Sequence, residues 1–87
     1  MDPQQEIRNF IEKLLRKKGD LGPFDDAESL ILGGRLESID AVEIVMFLEN
    51  RFGLNFAEIG FDQISIDSIN LIHGLVRSHD SGETAKP

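Results

Sequence analysis

Eighty-seven residues with 40% hydrophobic content, no cysteine and a net charge of −7 are expected to make one small domain. A chain of that length buries only about 60–65% of the surface its unfolded form exposes, so the core must be efficient. Disulfides and thiolate metal sites are excluded, nucleic-acid binding lacks its basic footprint, and no apolar run approaches the roughly 18–20 residues of a membrane span. Residues 1–10 are too polar for a signal peptide, and a cytoplasmic protein is expected.

The charge is segregated. Residues 1–18 carry Arg8, Lys13, Arg16, Lys17 and Lys18 against Asp2, Glu6 and Glu12, whereas residues 19–67 are strongly acidic, with Arg35 and Arg51 as their bases. A solvated surface is the plain reading of that middle segment; a surface for cationic protein partners is the other.

The first helix is announced by Asp2-Pro3-Gln4-Gln5. Asp2 can cap, proline suits the first helical position, and Gln5 can complete a capping box. Ile7, Phe10, Ile11, Leu14 and Leu15 then form one apolar stripe, Arg16, Lys17 and Lys18 favour the negative end of the helix, and Gly19 stops it. Residues 19–37 form a long connection in which Phe24, Leu30, Ile31, Leu32 and Leu36 are expected to be buried, with a short turn near residues 27–31.

Residues 38–52 predict the second helix, with Ser38 as N-cap or Asp40 and Glu43 as an alternative capping box, and Gly53 as its end. At ~100° per residue, Ala41, Ile44, Val45, Leu48 and Phe52 share a core stripe. Ile39 and Met46 project to nearly the opposite side, among Asp40, Glu43, Glu49 and Asn50, and Phe47 lies on the flank of that acidic face. Isolated exposed apolar residues are ordinary; a group rimmed by carboxylates has the layout of a docking surface.

One helical turn is expected around residues 57–63. Ile66, Ile69, Ile72 and Val76 predict a last helix, capped by Ser65 or Asp67 and running to about Ser78. Residues 79–87 have nothing to bury and read as a flexible tail, leaving a domain over 1–78. The fold class is all-α: a small four-helix bundle of three main helices plus one short helix, with a long first loop.

Chemistry intrinsic to the chain is sparse. His73 reads as a half-buried helix residue, and His79-Asp80 falls in the tail, where triad geometry cannot be held. The acidic run at Asp25-Asp26 lacks EF-hand spacing, and Gly33-Gly34 lacks the lysine of a phosphate-binding loop. Neither an enzyme nor a metal protein is expected.

The stretch from Leu36 to Gly53, LESIDAVEIVMFLENRFG, resembles the second helix of acyl carrier proteins, in which an Asp-Ser-Leu motif precedes an acidic helix. The order of predicted elements is similar over residues 3–78. The resemblance implies that Ser38 is esterified by 4′-phosphopantetheine, delivered from coenzyme A by a phosphopantetheinyl transferase, whose thiol carries acyl groups as thioesters. It further implies that Glu37, Ile39, Asp40, Glu43, Met46 and Glu49 dock on basic patches of acyl-loading and acyl-using enzymes; the helical pattern adds Phe47.

Glu37 stands where the family has Asp, Ile39 where it has Leu, Phe47 where a small residue is common, and Arg35 puts a cation just before the serine. Those departures imply a specialised member with a dedicated partner. Peptidyl, polyketide and D-alanyl carriers fit the same helix, and an unmodified helical interaction module is a reading of another class. A monomer is expected, since mutual repulsion opposes self-association.

Overall fold

The computed structural model describes residues 2–81, with side chains to residue 79. Its elements are α1 (Pro3–Lys17), α2 (Ser38–Phe52), α3 (Phe56–Ile59), a 3₁₀ turn over Gln63–Ile66, and α4 (Ile69–Ser81). The described chain is an all-helical bundle, as its sequence pattern predicts.

α1 begins as expected. The Asp2 carboxylate accepts from the Gln5 amide at 2.9 Å, and Pro3 occupies the first turn. The Gln5 side chain does not close a capping box; it donates to Asn9 Oδ1 at 2.9 Å. Ile7, Ile11, Leu14 and Leu15 are buried, and they meet Ala41, Ile44 and Leu48 from α2 and Ile69, Ile72 and Val76 from α4 in one core. α1 and α4 pack along each other over the longest stretch of backbone. α2 is joined to α1 through larger side chains, with Phe10 and Phe47 stacked at 4.2 Å and Phe52 edge-on to Phe47 at 5.8 Å.

The connection of residues 19–37 contains no helix; it is held down by side chains. Leu30, Ile31 and Leu36 are buried and Phe24 is half-buried beneath the Arg8 guanidinium, but Leu32 is exposed, against expectation. The reason is a tight turn, in which the amides of Arg35 and Leu36 both donate to the Leu30 carbonyl at 2.9 Å and throw Leu32 outward. Gly33 is required there, because a Cβ would stand 2.1 Å from the Ser29 carbonyl oxygen.

Two side chains staple this connection. Arg35 donates to both Asp20 carboxylate oxygens at 2.9 and 2.8 Å, to Glu28 at 3.1 Å and to the Pro23 carbonyl at 2.8 Å. Asp67, 6% exposed, accepts from the amides of Ile31 and Leu32 at 2.8 Å each and from the Ser29 hydroxyl. Burial opposes the Asp67 charge, yet those three donors outweigh it and hold its carboxyl below the usual range. Asp67 is therefore a loop anchor and not the cap of α4. That cap is Ser68, whose Oγ accepts from the Leu71 amide at 3.2 Å. The short helix starts one residue earlier than expected and ends at Ile59, with a separate 3₁₀ turn following. α4 runs three residues past Ser78, so part of the expected tail is helix; the rest, residues 82–87, lies outside the described residues.

Candidate functional site

Ser38 is the first residue of α2, and it is exposed. It is not the cap. Glu37 takes that position, with extended backbone, and its amide donates to Asp40 Oδ2 at 2.8 Å. The carboxylate that turns back to the start of the helix thus belongs to Asp40, which leaves the Ser38 hydroxyl uncommitted to capping. Its Oγ accepts from Gln63 Nε2, on the 3₁₀ turn, at 3.1 Å.

The expected docking residues separate into two groups. Ile39 and Met46 project outward, 62% and 55% exposed, and Glu37 and Glu49 are exposed beside them. Asp40 and Phe47 do not join that face. Asp40 is 6% exposed, its carboxylate taken by the Glu37 amide and by Lys18 Nζ at 2.9 Å. Burial works against its charge, but those two partners prevail and its carboxyl is lowered. Lys18 is raised in turn, chiefly by Asp40. Phe47 is half-buried because its ring lies flat on Phe10; with Met46 and Arg51 those rings line an open groove of about 460 Å³ between α1 and α2.

The carboxylates of the rim are also less available than their number suggests. Lys18 Nζ reaches Glu37 at 3.3 Å, Lys17 Nζ reaches Glu43 at 3.4 Å, and Glu49 accepts from the Phe56 amide at 3.3 Å. The basic end of α1 lies against the acidic start of α2, so the chain meets part of its own negative field internally. Pairs this exposed are individually weak.

Sequence reasoning missed two members of the site. Val42 is 50% exposed and stands three residues after Ile39 and four before Met46, the helical spacing that would have found it. Gln63 had no such signal, since its contact with Ser38 spans 25 residues of chain. Ile59, Phe61 and Ile64 add exposed apolar surface on the segment that carries Gln63.

His79 lies in α4 against the C-terminal end of α2, near Gly53. Ser38 is at the other end of that helix, about 22 Å away along its axis at 1.5 Å per residue, so the two form no catalytic pair. Among the described residues no group of three or more His, Asp or Glu side chains is placed to hold a metal ion, and no helix is long and apolar enough to cross a membrane.

The class defined by fold and site is a small helical bundle with an exposed serine at the head of an outward-facing apolar stripe. No family model, curated protein or solved structure matches the chain.

Proposed function

We propose that the chain is a discrete acyl carrier protein, with Ser38 as the attachment point for 4′-phosphopantetheine. The observation that carries this reading is the exposed Ser38 hydroxyl, free of capping, at the end of the stripe Ile39, Val42 and Met46. The surrounding residues fit such a group. The first turn of α2 offers the positive end of a helix to a phosphate. Gln63 already donates to the oxygen that would become the ester, and Lys18 offsets Glu37 and Asp40, whose charges would otherwise oppose another anion.

When bound, the group supplies a thiol on a mobile arm that holds acyl chains as thioesters. The residues of the chain do the rest. Ser38 presents the nucleophilic oxygen to a transferase. Ile39, Val42 and Met46 give a partner enzyme an apolar centre, and Glu37 and Glu49 a charged rim.

The test is the intact mass after incubation with coenzyme A and a broad-specificity phosphopantetheinyl transferase. One phosphopantetheine is expected on the wild type and none on Ser38→Ala. A wild type that stays unmodified both there and in its native host, while still binding a partner, points to an interaction module and overturns the carrier reading. The acyl mass on protein from its native source separates fatty-acyl from aminoacyl, polyketide and D-alanyl cargo.

A further inference from the structure

Gln63 is set in place from both sides. The Asp62 carboxylate caps the 3₁₀ turn through the Ile64 amide at 2.9 Å, and Ile66, three residues on, is buried in the core. The next residue, Asp67, grips the connection that leads into Ser38. These contacts fix the backbone at Gln63, whose side-chain amide reaches α2 and donates from Nε2 to Ser38 Oγ at 3.1 Å.

We propose that Gln63 is a positioning residue for the Ser38 hydroxyl and that it senses whether that oxygen is free or esterified. This rests on the carrier reading above. An amide donor on Oγ occupies one lone pair, orients the hydroxyl, and leaves its hydrogen and a second lone pair for the reaction. In the transfer, Oγ forms a bond to the coenzyme A phosphorus nearer pantetheine. The bond from that phosphorus to the oxygen bridging it to the adenosine phosphate breaks, adenosine 3′,5′-bisphosphate leaves, and the hydroxyl proton passes to a base on the transferase. The product carries charged oxygens on the phosphorus bonded to Oγ, and these are stronger acceptors than a hydroxyl. A neutral amide suits both states, whereas a carboxylate at position 63 would repel the second. Modification therefore tightens the 3₁₀ turn against α2, and the turn reports the state of the serine to the segment that follows it.

The experiment uses the full chain with Gln63→Leu and Gln63→Glu, a broad-specificity transferase, and ¹H–¹⁵N spectra before and after modification. Loading of Gln63→Leu is expected to fall roughly 3- to 10-fold in kcat/KM, the worth of one hydrogen bond, and that of Gln63→Glu further. In the wild type the Gln63 side-chain amide signals move on modification and also in Ser38→Ala. The backbone signals of residues 64–66 move on modification of the wild type but not of Gln63→Leu. The wild-type spectra stand alone if a variant fails to fold. Unchanged loading of Gln63→Leu, with Gln63 amide signals identical in the free, modified and Ser38→Ala proteins, overturns this inference and leaves the carrier reading intact. No added mass on the wild type overturns both.

Discussion

The long connection and the head of α2 are adjacent in sequence and use the same residue types in opposite ways. In the connection the charges turn inward: Arg35 binds Asp20 and Glu28, and Asp67 collects three donors from residues 29–32. At the head of α2 it is the apolar side chains Ile39, Val42 and Met46 that turn outward, while Asp40 is buried. Much of the acidic excess is thus structural. What remains exposed there is a modest acidic rim around an apolar centre, so net charge alone overstates the negative field of this face.

Breaking the inward half should have the largest effect. Asp67→Ala leaves two amides and a hydroxyl without their acceptor and is expected to cost about 2–4 kcal/mol, read from urea denaturation. A loss below about 0.5 kcal/mol would mean that water replaces the carboxylate and that the connection is not anchored there. Gly33→Ala, forced against the Ser29 carbonyl, should cost about 1–3 kcal/mol by the same measurement.

Acid should act on the same anchors. Asp67 and Asp40 have folded-state carboxyls below their ordinary 3.8. Groups of that kind give stability that is complete above their unfolded values and is lost as pH falls through the folded ones, here below about pH 4. Melting temperature followed from pH 6 to pH 2 should be flat and then fall; Asp67→Asn should soften the fall, and an equally steep one would remove Asp67 from the explanation.

On the carrier reading, the outward half should respond in loading more than in folding. With Lys17→Gln and Lys18→Gln combined, Glu37 and Glu43 lose their cations and Asp40 keeps only the Glu37 amide, and the transferase KM should become more dependent on salt than in the wild type. An unchanged salt profile would mean that these pairs do not compete with a partner. The smallest effect is on stability in Ser38→Ala, expected within about 0.5 kcal/mol because Ser38 does not cap α2.

The helices were legible because their apolar stripes and stop signals are local: Asp2-Pro3 at one start, Gly19 and Gly53 after two ends. Ile39 and Met46 were legible for the same reason, being misplaced on a wheel whose core side is clear. Asp40 and Phe47 were misjudged because a wheel knows only its own helix. Lys18 and Phe10, which draw them in, come from α1. Asp67 reads from sequence only as a cap for the last helix, and its contacts and those of Gln63 could not be foreseen, since they join residues 25 or more apart and follow no period.

The turn at residues 30–36 bears on how this chain can change over time. Because the Leu30 carbonyl collects the amides of Arg35 and Leu36, the count of residues between that carbonyl and the head of α2 is fixed by bonding. A single insertion there would break one of those two bonds or eject Leu36 from the core. Residues gained or lost among 20–28 would instead strain the ties of Arg35 to Asp20, Pro23 and Glu28, which a long side chain can re-make, so length variation among descendants of this gene should be tolerated better on that side of the turn.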